Sequence, residues 1–156
     1  FLEHAEIEDL KRFDLLREYL SDKETSLSDA NRPLEEAGED PVNERRLTNV
    51  GTFRAYVFNY LQAHPEIRKD MTLLVRQREP TPDGLPIQIY CFTATTKWAE
   101  YEGIQSDIFD HMLAIVPEFG LRVFQHPSGQ DLRGIRLAGG TGASRPASDM
   151  DASGGG

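Results

Sequence analysis

Eleven of the 14 aromatic side chains fall between Arg45 and Gln125, and prolines cut that stretch into pieces of set length. Large rings carry most of the apolar area that a small core can bury, so the core of this chain is expected there. Phe53, Tyr56, Val57, Tyr60 and Leu61 recur at i, i+3, i+4, i+7 and i+8, the period of a helix with one buried face. Thr48, Asn49 or Thr52 is placed to cap its start. Pro65 ends it, because the residue before a proline is pushed out of helical geometry.

Thr72 to Arg78 alternates, with Leu73, Val75 and Gln77 facing one way. The turn cluster Pro80-Thr81-Pro82-Asp83-Gly84-Leu85-Pro86 follows, and then Ile87 to Thr93 puts Ile87, Ile89 and Cys91 on one face. These two runs predict an antiparallel hairpin with a long loop. Lys97 to Val116 predicts a second helix, with Trp98, Tyr101, Ile104, Ile108, Met112 and Ile115 on its inner face. Pro117 and Gly120 stop it, and Leu121 to Gln125 reads as a short last strand. The order αββαβ is one strand short of the βαββαβ ferredoxin-like arrangement. The fold class is therefore α+β, ferredoxin-like, lacking a first strand that would lie centrally in the sheet. That strand is expected upstream of Phe1, because the chain opens without a methionine and reads as a piece of a longer one.

Around this core, residues 1–20 predict a linking helix. Leu2, Ile7, Leu10, Phe13, Leu16 and Leu20 form an apolar stripe among charges. Residues 21–44 read as a flexible acidic connection, poor in large apolar residues and carrying Pro33, Gly38 and Pro41, with Ser21 to Ala30 extending the helix intermittently and Pro33 opposing its continuation. Residues 45–125 form the α+β domain. Residues 126–156 hold 8 of the 13 glycines and no aromatic residue, and they read as a disordered tail.

The net charge of −9 is concentrated, with residues 1–46 carrying −7 and residues 47–125 only −2. Nucleic acid is excluded as a partner, since nothing supplies the basic footprint that a phosphate backbone requires. No apolar run approaches the roughly 20 residues of a spanning helix. The single cysteine, Cys91, cannot form an internal disulfide.

No catalytic constellation emerges. Asp107, Asp110 and His111 share a helix, with Asp107 and His111 at the i, i+4 spacing of a ligand pair. A closed zinc site needs four ligands, so an exposed polar face is the stronger reading. His4, His64 and His126 sit at element ends, and Cys91 reads as a small hydrophobe within a strand. Ser106 lacks a GxSxG frame, and Gly139-Gly140-Thr141-Gly142 lacks the lysine of a phosphate loop. Tyr90 and Phe92 lack the flanking pattern of base-stacking aromatics and are expected to pack on Trp98 or a helix. Arg45-Arg46 is a short basic pair suited to a solvated hinge. No metal, no cofactor and no enzymatic activity is expected.

Four ordered stretches, RRLTNVGTFRAY (Arg45 to Tyr56), MTLLVRQ (Met71 to Gln77), GLPIQIYCFT (Gly84 to Thr93) and IQSDIFDHMLAIVPEFGLRVFQ (Ile104 to Gln125), resemble the cytosolic C-terminal region of MscS-like mechanosensitive channels, the miniconductance branch above all. The opening FLEHAEIEDLKRFDLLREYL is similar to the region joining that family's middle β-domain to its C-terminal domain. The resemblance implies a bacterial inner-membrane channel opened by bilayer tension and protecting against osmotic stress. It implies a homo-oligomer, a heptamer in the full-length channel, whose cytosolic domains enclose a vestibule with side portals. This part would lie on the cytoplasmic side and supply vestibule wall and subunit contacts, with the membrane reached only through an N-terminal part not in this sequence. The alternative is an independent ferredoxin-like regulatory module that binds a small ligand or a protein.

Overall fold

Thr48 opens the central helix of the computed structural model, which describes residues 1–126. Its side-chain oxygen accepts the Gly51 N–H at 3.1 Å, so of the three candidate caps this is the one used. The helix, α3, runs Asn49–Ala63 and buries Thr52, Phe53, Tyr56, Val57 and Leu61. His64 ends it one residue before Pro65, as the proline requires. The hairpin then forms from β1 (Leu74–Gln77) and β2 (Ile87–Tyr90), antiparallel, with Val75 opposite Ile89 and Leu74 opposite Tyr90. Val75 is buried, and Leu73, Ile87, Ile89 and Cys91 pack toward the core, so the alternation sorts the faces as expected. Past the hairpin, Arg68 N–H bonds to Phe92 O at 2.8 Å and Ala94 N–H to Glu66 O at 2.8 Å, which ties the strand extension to the chain leaving α3.

The helix α4 spans Trp98–Ile115 and a 3-10 turn, Val116–Phe119, follows it. Gly120 then takes φ 63°, a left-handed conformation that suits glycine. Phe119 is almost fully buried at the centre of the core. It stacks on Phe13 at 6.1 Å between centroids and meets Phe53 edge-on at 5.3 Å. Ile104, Ile108 and Met112 of α4 are buried as the helical period requires. Trp98 and Tyr101, expected on the same inner face, are exposed instead. The core reaches only the later turns of α4, and the two rings pair with each other at 5.9 Å.

The structure is α+β. The sheet of the described residues has two strands. Leu121 to Gln125, expected as a last strand, is not in strand conformation, and no strand among the described residues pairs with it.

Residues 1–44 differ most from expectation. The linking helix is two helices, α1 (His4–Leu10) and α2 (Asp14–Glu36), separated by a turn at Lys11 to Phe13. That turn sets the Phe13 ring against Tyr56 and Phe119. The connection expected to be irregular is helical as far as Glu36. It runs through Pro33, which lies in the last turn, and the carbonyl the proline leaves without its helical donor belongs to exposed Asp29. The buried stripe of Leu16 and Leu20 continues through half-buried Leu27 to buried Asn31. Asn31 replaces apolar contact by a two-point clamp: its amide donates to Arg45 O at 2.9 Å and its oxygen accepts from Arg45 N–H at 2.8 Å. Two further bonds fasten this region: Leu2 N–H to Leu47 O at 3.0 Å ties the residues before α1 to those before α3, and Asn59 Nδ2 to Leu15 O at 2.6 Å ties α3 to α2. Residues 1–124 accordingly form one compact unit. Of the tail expected at 126–156, all but His126, including the glycine run and the Ser153-Gly154-Gly155-Gly156 end, lies outside the described residues.

Candidate functional site

Two apolar arcs run along α4. The inner one, Ile104, Ile108 and Met112, is buried by the core. Beside it, Phe109 and Leu113 stand at i and i+4, 53% and 54% exposed, with Trp98 on the same side at the start of the helix, 75% exposed. An α-helix that serves only to cover one core needs a single apolar stripe of about 100°. The second arc therefore has no counterpart among the described residues of this chain.

The hairpin extends this surface. β2 pairs with β1 along one edge, and no strand among the described residues pairs along the other. The run Ile87 to Thr93 carries no charge, which leaves that edge without the usual guard against pairing with another chain. A cavity of about 170 Å³ lies between β2 and α4, lined by Ile89, Cys91, Ile104, Ile108 and Phe109 among others. Tyr90 and Phe92 meet edge-on at 5.2 Å on the hairpin itself, not on Trp98 or a helix as expected. The whole forms an uncovered apolar surface of a kind that marks a protein contact.

The residues weighed for chemistry do not converge. His111 is held between the two long core helices: its Nε2 lies 2.8 Å from the Tyr56 hydroxyl, and its ring stacks on Tyr60 at 4.2 Å. Its partners are aromatic, whereas Asp107 and Asp110 are exposed, so these three do not assemble a ligand set. Burial raises the Tyr56 hydroxyl above its ordinary pKa, with Tyr60 adding to the shift. Burial likewise raises the Cys91 thiol, against a smaller opposing effect of Lys69, which keeps the thiol protonated and poorly nucleophilic. Ser106 donates to Glu102 O at 2.8 Å within its own helix, and His64 accepts the Glu66 N–H at 3.2 Å as a local cap.

One cluster was not visible in the sequence reading. His4, Glu8 and Glu24 bring ligand atoms within 4.8 Å of one another. Only the i, i+4 pair His4 and Glu8 was legible, because Glu24 comes from the next helix. Lys11 already occupies this place, with Nζ 2.6 Å from Glu8 and 2.9 Å from Glu24. The lysine hydrogen bond holds the Glu8 carboxyl below its usual range, and the cluster is an ion-pair network centred on Lys11.

No helix among the described residues is long and apolar enough to cross a membrane. The family model described as mechanosensitive ion channel MscS, C-terminal, matches residues 52–123, from the first turns of α3 to just past Gly120. A relative, the low conductance mechanosensitive channel YnaI of Escherichia coli K12, is 38% identical over 71 residues, which is 46% of this chain and 21% of that protein. The chain thus matches about a fifth of the length of this relative. Both matches speak for the wider family, and the relative named is a low conductance channel, not a miniconductance one.

Proposed function

We propose, from the match of residues 52–123 to the MscS C-terminal family, that the chain is the cytosolic C-terminal part of a tension-gated channel in a bacterial inner membrane. Its work is to build vestibule wall and to hold subunits together in a homo-oligomer, a heptamer, under osmotic stress. The pore and the tension sensor belong to a transmembrane part outside this sequence, and no catalytic step is assigned to this one.

The observation that carries the reading is the second apolar arc of α4 beside the unpaired edge of β2. In a ring of identical subunits, one such surface on each copy is covered by its neighbour, which makes the buried core of a subunit interface apolar. α1 and α2 do not compete for this surface, since α2 packs on α3 and α1 on α2. The test is a pair of substitutions, Phe109→Glu with Leu113→Glu, in the full-length protein. Both side chains are exposed in the single chain, so the fold tolerates the change while assembly suffers. Native mass measurement is expected to show loss of the oligomer, and membrane patches loss of tension-gated current. Full assembly and full current in the variant overturn the interface assignment, and an absence of tension-gated current from the unaltered full-length protein overturns the channel reading itself.

A further inference from the structure

We propose that the cavity between α2 and the start of α3 binds a phosphate-type oxyanion. The cavity, about 170 Å³, is walled by Lys23, Arg45 and Arg46 and by the hydroxyl-bearing side chains of Tyr19, Ser26 and Thr48. No carboxylate contributes to its wall. This is unexpected in a chain of net charge −9, whose first 46 residues carry most of the excess acid.

The three cations of this wall have no carboxylate partner, which they share with Arg54, Lys69, Arg76, Arg78 and Arg122 among the described residues; what distinguishes them is that they line one cavity together. Lys11, Arg12, Arg17, Arg32, Arg68 and Lys97 each form an ion pair with a carboxylate. Among the described residues, no carboxylate lies within ion-pair distance of Lys23, Arg45 or Arg46. Lys23 lies over the Tyr19 ring at 5.8 Å. Arg46 gives one hydrogen bond to Pro41 O at 3.1 Å and lies over the Phe1 ring at 5.6 Å, which leaves most of its five donors unused. Arg54, one turn along α3, is close enough to Tyr19 to oppose the upward pKa shift that burial gives its hydroxyl. Its Nε is buried without a hydrogen-bond partner.

Three like charges around one cavity repel one another unless an anion joins them. The positive end of the α3 dipole points to the same place. The first-turn amides do not supply the donors, because Asn49 Oδ1 accepts from Val50 N–H and Thr48 Oγ1 from Gly51 N–H. Guanidinium, ammonium and hydroxyl groups converging from two helices and the segment between them suit a tetrahedral oxyanion. Such a group offers more acceptor oxygens than a carboxylate can, with about one negative charge as a diester and close to two as a free phosphate. The source is either a free phosphate or the headgroup of an anionic lipid. The site stands on this wall alone and is independent of the channel reading.

The experiment titrates the 156-residue chain with inorganic phosphate at constant ionic strength by calorimetry, and in parallel co-sediments it with phosphatidylglycerol vesicles. Arg45→Gln is the informative variant, because Asn31 holds the backbone of Arg45 and the clamp survives the change. Arg17→Gln, which removes an exposed cation paired with Asp14 elsewhere on α2, is the control. Loss of one charged donor is expected to weaken binding roughly ten- to a hundredfold. Saturable phosphate binding weakened by Arg45→Gln but not by Arg17→Gln supports a free-phosphate site. Vesicle binding alone, with the same variant pattern, supports a headgroup site. Absence of binding in both arms overturns the proposal, as does equal weakening by the two variants, which marks nonspecific charge attraction.

Discussion

Leu20→Ala tests whether residues 1–44 are part of the folded unit or a solvated linker to it. Leu20 lies on α2 with 0% exposure. The substitution deletes three buried carbons, which at about 0.8 kcal/mol each amount to roughly 2.4 kcal/mol of transfer free energy. The cavity left behind raises the range to about 2–5 kcal/mol. Leu113→Ala, on α4 with 54% exposure, is the matched control, and its cost to folding should stay within about 0.5 kcal/mol. Urea unfolding of the 156-residue chain, followed by far-UV circular dichroism, reads both. With a slope of about 1–3 kcal/mol per molar urea, a loss near 3 kcal/mol lowers the midpoint by roughly 1–3 M. A Leu20→Ala midpoint no lower than that of Leu113→Ala would refute the docking of α2 on α3, and a first, separate transition for the N-terminal helices would refute the single unit.

Three further outcomes follow from the same packing. Asn31→Ala leaves the Arg45 N–H and carbonyl without their partner and should cost about 1–3 kcal/mol, measured by the same urea titration, with increased proteolytic cleavage between Glu35 and Glu44. Gly51→Ala, which in an open helix gains up to about 1 kcal/mol, should gain nothing here. The added methyl would stand 2.8 Å from Thr48 Oγ1 and displace the cap, so a clear rise in melting temperature would contradict the geometry. Burial raises the hydroxyl pKa of Tyr19, Tyr56 and Tyr60 in the folded chain. Their contribution is thus complete below the ordinary tyrosine value of about 10 and is lost as pH rises through the raised values. Stability measured from pH 8 upward should fall beyond that point, and Tyr56→Phe should make the fall shallower; an unchanged slope would remove Tyr56 as a cause.

The parts legible in the sequence were those with a clean period and a proline at the end. α3, α4 and the hairpin needed only the spacing of Phe53 to Leu61, the inner stripe of Ile104 to Met112, and Pro65, Pro82 and Pro117. The continuous run of α2 to Glu36 was missed because its stripe passes from leucine to Asn31, whose burial depends on a clamp to Arg45 that only the tertiary structure creates. Read with Asn31 included, the spacing Leu16, Leu20, Leu27, Asn31, Leu34 keeps the helical period through Pro33. Phe119 sat beyond the helix stop, so nothing in its local pattern marked it as central. Trp98 and Tyr101 fit the period of the inner face of α4, but periodicity says nothing of how far along a helix the core extends. The cationic cavity joins residues from 19 to 51, and only the docking of α2 brings them together.

The hydrogen bond from Leu2 N–H to Leu47 O has a mechanical consequence. It ties the first residues of the chain directly to the segment that opens α3, so α1 and α2 form a closed loop held out of the line of force. A pull on Phe1 is carried across this bond and the buried Leu2 side chain before it reaches either helix. The loop it closes, residues 3–46, has a contour length on the order of 150 Å. That length stays hidden while the bond and the packing beneath it hold, and it pays out only after they give way.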